Sequence, residues 1–569
     1  MIPPDRIEAA VAIGLALCAS AIPGSCEARQ DTGDEPLALI GARVVPLEDD
    51  TVLVDRTLIL RDGRIEAMGH ADSVAIPPDS RRLELDGRWV LPGLIDGHVH
   101  LREPAEGLVL FPAAGVTTVV NLEGEPGHLS LRDSILSSGL LAPRILSSGP
   151  FLDEIVENAG EARLEVDRQR RAGYDLLKIH GEMDEAAFRA ATDRAREMGL
   201  PVVAHHPENL PVLGVLDRLD ALAHLEEVLG SSLIESPGDL APDSIASVAE
   251  AIVSSSTAVI TTLGFFTGMR DQATDEFYRM IGRPELAYVS PERRRAWLYD
   301  GHREYIGPAD IPWYDAAVEV LHRLAGAIQS AGGTLIAGTD TPLEYTVPGV
   351  SLVRELDELA ASGLEPYEAL RAATVAPADL LERPDLGRIR EGASADLLIV
   401  SGDPTESLAA LRNIHGVVLR GRFVSRAELD RSLDALAAAY ARREIPIAAR
   451  RRVAREIADL VRREGVPAAV EELRRLRTVE SSVALDEGDI NDLGYGFLAA
   501  GDVDTAVEIF RLNVELHPGS GNARDSLGEA YLERGDLDRA ERAYRRALEL
   551  DPTLDSARRA LEEIEQRRP

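Results

Sequence analysis

The chain has 569 residues, 45% of them hydrophobic and 28% charged, with a formal net charge of −36 and a pI near 4.8. That length exceeds what one hydrophobic core serves and points to several domains. So acidic a chain is repelled by phosphate backbones, which argues against a nucleic-acid partner, and no internal apolar run reaches the roughly 18 residues of a transmembrane span.

At the N-terminus, Arg6 precedes an apolar stretch at 9–22 that is followed by small residues. This is the pattern of an export signal, expected over 1–28, and it predicts a periplasmic location. The run Pro23-Gly24-Ser25-Cys26 partly matches a lipid-attachment site and leaves anchoring or secretion open. Both cysteines, Cys18 and Cys26, lie in this segment. The mature chain therefore has no internal disulfide, and metal ligands beyond the segment must be His, Asp, Glu or something rarer.

Residues 35–92 carry short runs of alternating polarity with turn signals between them, and the pattern returns at 385–425. The two segments predict one small β-sandwich built from both ends. Between them, 93–384 holds eight β-rich runs interleaved with helical patterns: GLIDGHVHL, TTVVNLEG, RILSSGPF, DLLKIHG, PVVAHHP, ALAHLEE, AVITTLGFF and TLIAGTD. That alternation predicts an α/β fold, a (β/α)8 TIM barrel. Residues 264–315, after the seventh run, hold ten of the chain's 24 aromatics. They read as a lid or substrate wall, or else as a helical insertion with its own small core. A helical linker is expected at 430–487. At 488–567, two similar stretches start at Leu493 and Leu527, 34 residues apart. The period and pattern resemble tetratricopeptide repeats, which implies an all-α domain capped by a helix at 555–567 and able to bind a protein or peptide partner.

His98 and His100 are two apart on one strand, so both imidazoles enter the same face and can bind one metal. Lys178 is the only lysine; the other 60 basic residues are arginine. A lysine kept against that bias suggests a role needing an amine. His180, two residues on, shares its face and is a candidate substrate contact. His205 and His206 end the fifth run and are expected to point to opposite faces, with one serving as ligand. His224 ends the sixth run and Asp340 the eighth.

Together with VLPGLIDGHVHL, AAGVTTVVNL, EALRAATVAPADLL and LGRIREGASADLLIVSGDP, these residues make 37–425 resemble the amidohydrolase superfamily, nearest its imidazolonepropionase-like and prolidase-like hydrolases. The resemblance implies two divalent metal ions, with zinc suited to the ligands. His98, His100 and Asp340 would hold one and His205 and His224 the other. Lys178, carboxylated by CO2 to a carbamate, would bridge them. A hydroxide shared by the ions would attack an amide or peptide bond, in a substrate such as Xaa-Pro or an N-acyl amino acid, with Asp340 as catalytic base and then acid. A cyclic amide, lactone or phosphotriester is the alternative substrate. A repeat scaffold with a vestigial barrel is the alternative of another class. Val353 stands where many relatives carry a histidine, a departure that bears on substrate preference and not on the ligand set.

Overall fold

In the computed structural model the described residues run from 35 to 567, apart from 103–104, 154, 208, 231–241, 275, 300–309, 480–484, 500 and 553. The expected export signal and both cysteines lie outside them. The chain divides into two compact units, 1–437 and 438–569.

The first β segment forms β1 (Leu37–Val44), β2 (Leu53–Arg61), β3 (Arg64–His70), β4 (Arg81–Glu84) and β5 (Trp89–Pro92). Asp62 and Gly63, both at positive φ, make the tight turn joining β2 to β3, a conformation that suits the right-handed twist of a hairpin.

The central region supplies β6 (Leu94–Val99), β7 (Val116–Asn121), β8 (Arg144–Ser147), β9 (Leu177–Ile179), β10 (Val202–Ala204), β11 (Ala221–Ala223), β12 (Ala258–Ile260) and β13 (Leu335–Ile336). Each expected run overlaps one of these strands. They pair in parallel as two ladders, β6-β7-β8 and β13-β12-β11-β10-β9. Isolated parallel bridges, Val99 to Thr341 and Ser148 to Leu176, link the ladders at both ends. Gly97 and Gly338 allow one of these approaches: a Cβ at Gly338 would lie 2.8 Å from the His98 Cβ, and one at Gly97 would lie 2.9 Å from the Ala337 carbonyl oxygen. Ile95, Val120, Leu146, Val203, Ala223, Ile260 and Ile336, from seven of the eight strands, meet in one buried cluster.

The helix between β9 and β10 is amphipathic. Glu185–Met198 buries Ala187, Ala191 and Ala195, spaced four apart on one face. Asp184 caps its first turn by accepting from Ala186 N and Ala187 N, and Gly199 ends it in the left-handed region.

After β13 come β14 (Leu397–Val400), β15 (Ile414–Leu419) and β16 (Arg422–Ser425). They join the first segment in one hydrogen-bonded sheet, ordered β16-β15-β14-β5-β1-β2-β3, with β4 branching off β1. The expected sandwich is thus a continuous ladder and not two separate sheets. The antiparallel pairing of β14 with β5 makes the join, and Leu39, Leu60 and Val90 share a core with Leu397, Ile399 and Val418.

The described part of the interruption at 264–315 is helical, with Leu263–Gln272, Glu276–Met280 and Pro291–Tyr299 among its elements. Buried Phe277 and Trp297 flank Tyr345, and the Trp297 indole N–H donates to the Pro342 carbonyl at 3.3 Å. The insertion therefore packs on the loop that follows Asp340 as well as on its own aromatics.

The second unit is helical. Helix Glu487–Ala499 is repeated 34 residues later as Gly521–Glu533, and Val503–Leu516 as Leu537–Leu550; Asp555–Arg567 follows. Gly494 and Gly528 are equivalent positions. A Cβ on the first would lie 2.5 Å from the Phe510 ring, and on the second 2.9 Å from Tyr544, so glycine is what lets the paired helices close.

Candidate metal centre

His98 and His100 occupy the end of β6 and its first following residues, as the strand alternation requires. Their Nε2 atoms lie 3.2 Å apart and converge on Asp340 Oδ1, at 3.2 Å and 2.8 Å. Asp340 follows β13 and reaches them because its N–H donates to the His98 carbonyl at 2.8 Å. His224 follows β11 directly, and its Nε2 lies 3.7 Å from Asp340 Oδ2. One donor atom from each of His98, His224 and Asp340 lies within 4.8 Å of the others, a spacing that could hold a metal ion. Both His224 (φ 76°) and Asp340 (φ 56°) adopt the left-handed region, which non-glycine residues rarely visit and which costs on the order of 1–3 kcal/mol each.

The His205 ring stands 4.5 Å from that of His224 and 4.4 Å from that of His180. Lys178 is fully buried on β9, and its amine has no hydrogen-bond partner among the described residues. Burial pulls the amine down to about 8, against the opposing pull of Asp340 and Glu227. Burial also drives His98 and His224 well below the ordinary histidine range and His205 to about 4. Neutral imidazoles carry free lone pairs, the state that metal coordination needs. Burial pushes the Asp340 carboxyl up, but the polar rings of His98 and His224 and the hydrogen bond from His100 Nε2 at 2.8 Å outweigh it and hold the carboxyl well below its ordinary range.

Residues 89–424 match the amidohydrolase family. The chain belongs to that family. A dihydroorotase from Anaeromyxobacter dehalogenans is 26% identical to this amidohydrolase over 402 residues, covering 64% of this chain and 88% of the relative. A structure from Bifidobacterium longum described as a prolidase is 26% identical, with a TM-score of 0.54, covering 71% of this chain and 99% of the other. The bottromycin amidohydrolase, at 23% identity and a TM-score of 0.59, shares the fold over 77% of this chain and 94% of its own. Residues 526–554 match the tetratricopeptide repeat. The amidohydrolase is accordingly a hydrolase of the class acting on carbon–nitrogen bonds, in a family that generally binds divalent metals.

Sequence reading missed the groups that hold the rings in place. Glu123 accepts from His100 Nδ1 at 2.9 Å and from the Arg102 guanidinium at 2.5 Å. Those partners overcome its burial and draw its carboxyl to about 2. His224 Nδ1 lies 2.9 Å from Thr262 Oγ1. Glu227 accepts from both His205 Nδ1, at 2.8 Å, and His206 Nδ1, at 2.5 Å. Adjacent histidines were expected on opposite faces. They share one carboxylate because β10 stops at Ala204, so strand alternation does not govern 205–206. Nothing in the sequence marks these partners, since a glutamate that follows a strand usually lies on a solvated surface. His128 stands at the third position of helix Pro126–Ser138, where its side chain helps cap the helix and Nε2 lies 2.9 Å from the Leu101 carbonyl oxygen.

Proposed function

We propose that this amidohydrolase uses two divalent ions to hydrolyse an amide or peptide bond in a small substrate such as an Xaa-Pro dipeptide or an N-acyl amino acid. The observation that carries the reading is the gathering of five candidate ligands, His98, His100, His205, His224 and Asp340, in one region with the buried, unpartnered amine of Lys178. The bridges that link the two ladders at both ends support a (β/α)8 barrel with these residues at its C-terminal rim.

In this reading His98, His100 and Asp340 hold one ion, and His205 and His224 the other. Lys178, carboxylated by CO2, would give both an anionic ligand. An amine lowered to about 8 has a neutral fraction at neutral pH, and it is the neutral amine that adds CO2. The resulting anion would give a buried, orphaned nitrogen a reason for its position. Nitrogen and carboxylate donors suit zinc. When bound, such ions make water a nucleophile near neutral pH and polarise the scissile carbonyl. Asp340, kept ionised by the surrounding imidazoles, accepts the proton of the attacking water and passes it to the leaving amine. Glu123, Glu227 and Thr262 fix the ring orientations. The aromatic insertion at 264–315 forms a wall that selects the substrate. Residues 1–28 export the chain, and the repeats offer a surface to a protein or peptide partner.

The dihydroorotase similarity favours a second substrate reading, a cyclic amide. Zinc- and bicarbonate-loaded protein assayed on Xaa-Pro dipeptides, N-acyl amino acids and dihydroorotate separates the two. Turnover of a linear amide that Asp340→Asn lowers by about 1,000-fold or more supports the first reading. Turnover of dihydroorotate alone supports the second, and no turnover of any of them contradicts both.

A further inference from the structure

His180 and Phe151 form a paired aromatic shelf beside the candidate metal centre. Phe151 follows β8 and His180 follows β9. The backbone locks them together: Leu152 N donates to the Lys178 carbonyl at 3.0 Å, and His180 N donates to the Leu152 carbonyl at 2.9 Å. The loop before Phe151 is anchored in turn by buried Gln169, whose amide donates to the Pro150 carbonyl at 2.8 Å. The two rings stack with centroids 4.9 Å apart and planes 15° apart. On the centre side, Phe151 meets the His100 ring edge-on at 6.4 Å, while His180 lies 4.4 Å from His205. The shelf thus touches one candidate ligand from each expected metal group.

His180 is the solvent-exposed member of this histidine cluster. Its ring nitrogens make no hydrogen bond with any described residue, in contrast to His100, His205 and His224. An imidazole fixed by stacking and by its backbone, with both nitrogens unspent, is preorganised to donate to an oxygen arriving from solvent.

We propose that His180 is a catalytic residue that donates an imidazole N–H to the scissile carbonyl oxygen as charge develops on it, and that Phe151 sets the plane of its ring. This rests on the hydrolase reading above. The role calls for a contact that strengthens in the transition state, so it predicts loss in kcat more than in KM.

The test uses the metal-loaded full chain on the linear amides and dihydroorotate named above, with bound metal counted for every variant. His180→Ala is expected to lower kcat by about 100-fold with KM changed less than about threefold. Metal content should equal that of the wild type. His180→Gln, which keeps an N–H donor, should recover about tenfold of the loss, and Phe151→Leu should lower kcat less than His180→Ala does. An unchanged kcat in His180→Ala, or a rise in KM alone, overturns the assignment and leaves the hydrolase reading standing. Metal loss in His180→Ala also overturns it, by making the residue structural. A wild type inert on every substrate overturns the hydrolase reading and this one with it.

Discussion

At the scale of single residues, two kinds of buried acid surround the centre, and they respond to pH in opposite ways. Glu227 is held ionised by two imidazoles. Replacing it with glutamine removes the carboxylate that orients His205 and His206, and should weaken metal binding about 10–100-fold, measured by competition with a chelator. Asp96 is instead raised to about 8, chiefly by burial, although it accepts from Thr339 N at 3.1 Å. Its unfolded-state pKa is near 3.8. The folded state therefore keeps a proton that the unfolded state has lost, so this group's contribution is full below about 3.8 and declines as pH rises to about 8. Urea titrations of metal-free protein should show that decline, on the order of a few kcal/mol, and Asp96→Asn should flatten it. A variant with the wild-type slope would exclude Asp96 as the source. The candidate ligands themselves were legible because each ends a recognisable β-rich run. Glu123, Thr262 and Glu227 were not, because what gives them meaning is the distance that folding closes between a loop and a ring.

Among the elements, the described part of the insertion at 264–315 packs on its own aromatics and also on the loop after Asp340. Phe266, Trp313 and Tyr314 cluster together, while Trp297 reaches across to Pro342. Trp297→Phe keeps the ring and loses the indole N–H, so it should cost about 1 kcal/mol in chemical denaturation. Trp297→Ala, which also empties a buried site, should cost about 3–5 kcal/mol. Equal effects of the two would show that packing alone matters there. Glu355 ties a second part of the insertion down by accepting from Leu263 N at 3.1 Å and Gly264 N at 2.7 Å. The eight central strands were readable in order because apolar runs of the right length alternate with helical faces. The union of β5 and β14 in one sheet was readable only as a shared destination. Pairing partners separated by some 300 residues leave no local signal that distinguishes one continuous sheet from two.

For the whole molecule, two compact units predict two thermal transitions, one shifted by metal and one not. Gly494→Ala places a methyl 2.5 Å from Phe510 and should lower the repeat transition by about 1–3 kcal/mol, leaving the metal-sensitive one in place. A single transition affected by both would show that the units unfold together. The repeat unit was the most legible part of the chain, since its 34-residue period survives directly as helix spacing.

Lys178 is the one lysine of the chain, and its carbamate would be what joins the two ions. Metal per chain, counted by elemental analysis after purification with zinc and bicarbonate, tests it most directly in wild type beside Lys178→Ala. A bridging carbamate predicts two ions in the wild type and a clear loss in the variant. A single ion in both, indifferent to the substitution, would contradict it.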